Sequence, residues 1–257
     1  MKPTTSHLKP ESIRKLIINS LNNNKPLSLL RMGDGEMIII TNDKHKINTF
    51  CKKQINRIIT KPERKEAHKW LNEAVATSTI LGLPTPAHCH KNILWERLFK
   101  YYEQVKNVSK ENWVKKDYCS IDAHIELLQS KELFTILKHI DKIVIVSPRY
   151  INEKLKAKFP NIKKIEWYSL PGEQIYEVDK NIDVNVFHKI KEISSQLQKE
   201  NRSGQLLIFG AGPFGKILGS RFCKSGGVAV DLGSVFDMFV GKLTRGYQVG
   251  VYQDYKI

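Results

Sequence analysis

Asp34 and Glu36 flank Gly35 immediately behind a short apolar stretch, Leu27 to Arg31. Two carboxylates two positions apart in a turn can share one hard cation. Mg²⁺ or Mn²⁺ takes one or two protein carboxylates and fills its shell with phosphate oxygens and water. Arg31, just ahead of them, can grip a phosphate through two nitrogens. Gly33 and Gly35 let a ligand come close to the backbone. A turn-forming Asp-Gly followed by a Glu that balances a helix dipole explains the same residues without a ligand.

A second cluster stands near the other end. Gly210-x-Gly212-x-x-Gly215 follows an apolar run and opens a helical pattern, and Asp231 lies 21 positions after Gly210. That spacing matches a dinucleotide fingerprint: glycines for close approach, a helix N-terminus for phosphate, an acid for ribose. Such folds usually open with the motif, whereas here it stands late in the chain. A phosphate or nucleotide contact from a C-terminal βαβ unit is therefore the more economical reading. A tight strand-to-helix turn that serves packing alone is the bland one. An NAD(P) oxidoreductase or an adenosylmethionine-dependent methyltransferase remains as an alternative on the same loop.

These residues need elements to hold them. The apolar spacing predicts helices at 10–23, 52–60, 63–77, 93–105, 122–139, 149–158, 184–200, 213–225 and 234–240. Short buried strands are expected at 27–31, 78–83, 142–146, 163–168, 205–209 and 228–232. Residues 106–118 read as an excursion. Six strands alternating with helices point to an α/β fold: a Rossmann-like parallel sheet with helices on both faces. Residues 1–257 read as a single domain with a helical insertion at about 42–140. Ligands of open α/β sheets sit beyond the carboxyl ends of the strands. Both motifs fall there, as do Ser147-Pro148-Arg149 and Pro171-Gly172-Glu173, which turn chemistry alone also explains.

Composition narrows the class. The chain has 257 residues, 41% of them hydrophobic, and a net charge of +16. Its apolar content is too high for a disordered chain. No apolar run approaches the roughly 18 residues of a membrane span, and the N-terminal stretch has no apolar core of a secretory signal. The four cysteines, Cys51, Cys89, Cys119 and Cys223, form no CxxC pair and read as reduced thiols. The positive charge fits nucleic acid, an anionic membrane surface or phosphorylated substrates. No RNP-type aromatic motif, helix-turn-helix signature or basic arm supports nucleic acid, so a basic nucleic-acid-binding protein is the weaker alternative.

Leu29-Leu30-Arg31-Met32-Gly33-Asp34-Gly35-Glu36 resembles the R-F-G-D-G-E segment of the GT-D-type glycosyltransferases. Phe209-Gly210-Ala211-Gly212-Pro213-Phe214-Gly215-Lys216 is similar to that family's C-terminal glycine loop, and Ala229 to Asp237 to the strand and turn after it. The two blocks frame nearly the whole length in the right order; the middle matches only in its α/β rhythm. The resemblance implies a Rossmann-like domain that binds a nucleotide-sugar, usually a UDP-sugar, with Mn²⁺ or Mg²⁺ at the D-x-E motif. It makes Asp34 and Glu36 metal and diphosphate-site residues. Arg31, Gly33, Gly35, Gly210, Gly212, Gly215, Lys216 and Asp231 then line the donor site.

It also implies a glycan or lipid-linked glycan acceptor, and work in the cytoplasm at the inner face of an anionic membrane. The acceptor hydroxyl needs a base if one displacement inverts the anomeric carbon. Asp122, His124 and Asp237 are the candidates, and Asp237 is preferred for its place beside the glycine loop. His88-Cys89-His90 lacks a second ligand pair at metal-site spacing. Trp70, Trp95 and Trp113 can stack on a sugar, though Trp70 lies on a helix face expected in the core.

Overall fold

The computed structural model describes residues 7–40, 43–85, 116–171, 185–242 and 244. The elements in chain order are α1 (Pro10–Asn22), β1 (Leu27–Arg31), α2 (Asp34–Ile40), α3 (Lys44–Ile55), α4 (Lys61–Thr77), β2 (Ile80–Leu83) and β3 (Asp117–Ser120). Then come α5 (Ala123–Gln129), α6 (Glu132–His139), β4 (Lys142–Val146), α7 (Asn152–Lys158) and β5 (Lys164–Tyr168). The last are α8 (Val186–Leu197), β6 (Leu206–Phe209), α9 (Lys216–Lys224), β7 (Val228–Asp231) and α10 (Val235–Val240).

The strands form one parallel sheet in the order β3-β2-β1-β7-β6-β4-β5. Every residue of β6 and β7 is buried, as expected of strands covered on both faces. One face packs on α2, α3, α4, α8 and α9 through residues such as Ile39, Leu71, Ile190 and Phe222. The other packs on α1, α5, α6, α7 and α10 through Ile17, Leu127, Leu137, Leu155 and Phe239. The Rossmann-like parallel sheet with helices on both faces is thus the fold of this chain.

The middle of the sheet positions the site. β1 pairs with β7 in parallel, Leu29 opposite Val230. The helix after β1 lies on one face and the helix after β7 on the other. Two adjacent strands whose following helices diverge leave a crevice at their carboxyl ends.

Several local expectations are corrected. Among the described residues the sheet has seven strands, not six. β3 was hidden because Asp117-Tyr118-Cys119-Ser120 is too polar and short to read as a strand, so the expected excursion ends inside the sheet. The stretch 42–140 accordingly supplies β2 and β3 as well as helices. The expected 52–60 helix is instead α3, opened by the Asp43 side chain, which accepts from the amides of His45 and Lys46, and closed by Asn56 in the left-handed region at φ 55°. The expected helix at 122–139 breaks in two at Lys131, φ 64°. α4 opens as predicted, with Pro62 in the first turn and a reciprocal Thr60–Glu63 capping box.

Trp70 stacks on Phe187 within the core. Cys51, Cys119 and Cys223 are buried free thiols, each pushed up to about 12 by burial, so none is a reactive nucleophile. His88-Cys89-His90, the expected helix at 93–105, Trp95, Trp113, Gly172-Glu173 and most of 106–118 lie outside the described residues.

Candidate active site

A cavity of about 420 Å³ opens at the carboxyl ends of β1, β7, β6 and β4. Arg31, Gly33, Asp34, Gly35, Glu36, Gly210, Gly212, Lys216, Asp231 and Asp237 all line it. Of the expected site residues only Gly215 is set back, capping α9, where a side chain would meet the Ala211 Cβ at 2.1 Å. A wider hollow of about 550 Å³ between α4, α8 and α9 is open to solvent. Of its basic side chains, Lys191 pairs with Glu66 at 2.9 Å and Arg221 with Glu73 at 2.8 Å, and neither glycine-and-carboxylate motif reaches it.

Asp231, the last residue of β7, is 1% exposed and is the hub of the crevice. Its Oδ2 accepts from the Lys216 ammonium and, at 3.2 Å, from the Arg31 amide. Its Oδ1 faces Arg31 Nη2 at 3.5 Å, and its carbonyl accepts from Arg31 Nε at 3.2 Å. Burial pushes the Asp231 carboxyl up, but Lys216 and Arg31 outweigh it and hold it below the ordinary value of 3.8. The acid expected to take a ribose is therefore turned inward, binding two cations of its own chain.

The rest of the Arg31 guanidinium is also held. Nη1 donates to the Ile121 carbonyl at 3.3 Å and lies 2.9 Å from His124 Nδ1. His124 is 2% exposed. Burial first, then Arg31 and Lys216, keep its imidazole neutral by pushing its pKa well below 6.5. Such a ring orients Arg31 and has little basicity to spare for an acceptor hydroxyl. A titration follows. Below about pH 6.5 an unfolded imidazole binds a proton that folded His124 refuses. Stability is therefore expected to fall as the pH drops below that value, and His124→Asn to flatten that part of the profile in denaturant unfolding at stepped pH. An unchanged slope in the variant would refute this.

Asp34 and Glu36 do not form the expected turn. They open helix α2, where positions two apart point to different sides. Asp34 is exposed toward the cavity, and its Oδ1 accepts from the Gly35 amide at 2.9 Å. Glu36 is 6% exposed. Its Oε2 accepts from the Gly33 amide at 2.8 Å and its Oε1 faces Lys216 Nζ at 3.1 Å. A cation therefore fits at Asp34, with one carboxylate and diphosphate oxygens to complete its shell. Glu36 is the poorer ligand, since it is buried and its charge is already answered by the Lys216 ammonium. No group of three or more His, Cys, Asp or Glu is arranged to hold a metal among the described residues.

Asp237 lies across the cavity. Arg149 Nε donates to its Oδ1 at 2.7 Å and Thr244 Oγ1 to its Oδ2 at 2.7 Å. Arg149, 8% exposed, was visible in the sequence only as a residue after a strand. Asp122 also lines the cavity, at the start of α5. Phe50, from α3, forms an apolar wall with Phe214, ring centroids 6.3 Å apart. No sequence signal marked Phe50, because its place beside Phe214, 164 positions on, is set by the fold. Among the described residues the lining carries five carboxylates, Asp34, Glu36, Asp122, Asp231 and Asp237, against the cations Arg31, Arg149 and Lys216. A locally acidic cavity thus sits in a chain of net charge +16.

Fold and cavity together define a Rossmann-like α/β protein with a polar ligand site at the switch between its first and last strands. The model of the GT-D-like family, described as a GT-D fold-like domain, matches residues 8–239, and the chain belongs to that family. Three solved structures share the fold. One, of domain of unknown function 1792 with selenomethionine, is 18% identical with a TM-score of 0.59, over 98% of this chain and 90% of that one. Another, described as that domain with a distinct glycosyltransferase fold, is 19% identical with a TM-score of 0.58, over 98% and 85%. A third, described as a new glycosyltransferase from Streptococcus sanguinis, is 16% identical with a TM-score of 0.56, over 99% and 88%. No curated protein matches the chain.

Proposed function

We propose that this chain transfers a sugar from a nucleotide-sugar donor, a UDP-sugar first among them, to a glycan or lipid-linked glycan acceptor. The observation that carries this reading is the meeting of the Arg31–Glu36 segment and the Gly210–Lys216 loop around one cavity in a GT-D-like chain. The leaving nucleoside diphosphate needs its charge stabilised. Arg31, clamped by Asp231, Ile121 and His124, presents a pre-positioned guanidinium. The N-terminus of α9 and the small Gly210-Ala211-Gly212 turn let phosphate approach backbone amides. A divalent cation bound with the donor at Asp34 would neutralise the leaving diphosphate. The excess of carboxylates around the cavity is why a bare diphosphate is expected to bind poorly without one.

On the acceptor side Asp237 is the general base in this reading. Arg149 and Thr244 orient its carboxylate, and each oxygen keeps lone pairs for an incoming hydroxyl. Tyr150, directly after Arg149, is 52% exposed and meets Trp167 edge-on at 5.0 Å. An exposed aromatic face one residue from the lining Arg149 suits a pyranose ring. The basic surface supports salt-sensitive attachment to an anionic membrane, and no helix among the described residues is long and apolar enough to cross one. The inward-turned Asp231 counts against NAD(P) or adenosylmethionine, whose ribose would need it.

The test is a calorimetric titration of UDP with Mn²⁺ and with chelator, on wild type and Asp34→Asn. Binding is expected with Mn²⁺, about tenfold weaker or worse with chelator and in the variant. Tight binding indifferent to both would sink the metal-assisted reading. Failure of UDP and of other nucleotide-sugars alike would sink the transferase.

A further inference from the structure

Lys216 is a charged side chain taken almost wholly out of water, 4% exposed. Burying an ammonium is costly unless it is closely paired. Here it is paired twice, with Glu36 Oε1 at 3.1 Å and with Asp231 Oδ2. Those carboxylates come from the first helix turn after β1 and from the end of β7, while Lys216 itself opens α9. One Nζ therefore ties together three elements around the cavity. Glu36 completes the tie through its other oxygen, which accepts from the Gly33 amide and shapes the turn that carries Asp34.

We infer that Lys216 is the resident cation of the Asp34-Gly35-Glu36 motif. Its ammonium neutralises Glu36, so a divalent ion arriving with a nucleoside diphosphate finds Asp34 as its one carboxylate from that motif. Lys216 and Glu36 are then positioning residues: they fix where Asp34 and Arg31 stand and touch neither metal nor donor. The metal half of this inference rests on the donor reading above; the lock itself does not.

Two measurements separate them. The first is calorimetry of UDP with MnCl₂ on Asp34→Asn and Glu36→Gln. Asp34→Asn is expected to lose the metal-dependent part of binding by about tenfold or more. Glu36→Gln keeps an oxygen for Lys216 and is expected to retain the Mn²⁺ dependence, with affinity within about threefold of wild type. Equal loss in the two variants overturns the inference, since Glu36 would then be a ligand. The second measurement uses no nucleotide: thermal melting with and without millimolar MnCl₂. Lys216→Met leaves Glu36 and Asp231 sharing one gap without a cation. It is expected to melt at least about 5 °C lower and to recover part of that loss when MnCl₂ is added. Wild type is expected to be unmoved. A Lys216→Met protein that gains nothing from MnCl₂, or a wild type that gains as much, overturns the lock.

Should Lys216→Met not fold, Glu36→Gln decides the melting arm. Its melting is expected to be as indifferent to MnCl₂ as wild type, and a wild-type gain that Glu36→Gln abolishes overturns the inference. If UDP binds to no protein, the donor reading fails, while the melting arm still decides the role of Lys216.

Discussion

Asp231→Ala is expected to lower the free energy of unfolding by about 3–5 kcal/mol, the usual cost of removing one partner from a buried ion pair. Asp231 answers the Lys216 ammonium and three nitrogens of Arg31, counting the backbone amide. Alanine leaves one nearly buried ammonium with half its counter-charge and takes the carboxylate away from the Arg31 amide and Nη2. Lys216 keeps Glu36, and Arg31 keeps the Ile121 carbonyl, so the loss falls nearer the lower end. The pH dependence has a definite sign. A carboxyl held below its ordinary value of 3.8 when folded gives stability that is present above that value and lost as pH falls through the folded pKa. Wild type should thus lose stability below about pH 4, and the variant should lose less over that range. Urea unfolding at neutral and acid pH measures both. A neutral-pH cost under about 1 kcal/mol would show that the network is weakly coupled.

Gly210→Ala is the second large effect. A Cβ there would stand 2.5 Å from the Gly233 carbonyl oxygen and 2.7 Å from Phe236 Cδ2. The carbonyl is backbone of another turn, and Phe236 is 1% exposed, so neither can step aside cheaply. About 3 kcal/mol is the expected cost of such overpacking. The displaced Gly233 turn also carries away its contact with Arg31, whose Nη2 fills the space beside Gly233. UDP binding should therefore fall by about tenfold or more alongside the stability. Gly212→Ala is the informative contrast. Gly212 has nothing within 4 Å of its Cβ position and pays only for φ +58°, about 1 kcal/mol. Equal effects at the two positions would mean that loop conformation, rather than contact between the two turns, sets the site.

Much of this site was visible in one dimension because each half is a local motif. Glycines and carboxylates behind an apolar strand mark a strand's carboxyl end whatever the fold, and β1, β2, β4, β6 and β7 are short β-branched or leucine-rich runs. What escaped depends on groups far apart in the chain. Glu36 looked like half of a metal site because its partner, Lys216, lies 180 positions away. Asp231 looked like a ribose ligand because its burial beneath Arg31 and Lys216 is a product of sheet order. The Asp34-Gly35-Glu36 run reads as a turn from its glycines, yet packing of Ile39 on the sheet draws it into α2. β3 owes its extended form to β2, with which it pairs from Ile80 opposite Asp117 to Leu83 opposite Ser120.

The pairing of β1 with β7 has a consequence for the order in which the molecule is made. During synthesis on the ribosome, β1 and its neighbour β2 emerge early, but the other flank of β1 waits for Val228, Ala229 and Val230. Until β7 is translated, an apolar strand has an open edge, the kind of edge that other chains pair with. Arg31 likewise lacks its carboxylate until Asp231 arrives, 200 positions later. The crevice is thus a property of the paired β1 and β7, and a ribosome stalled before β7 should hold a nascent chain that clings to chaperones.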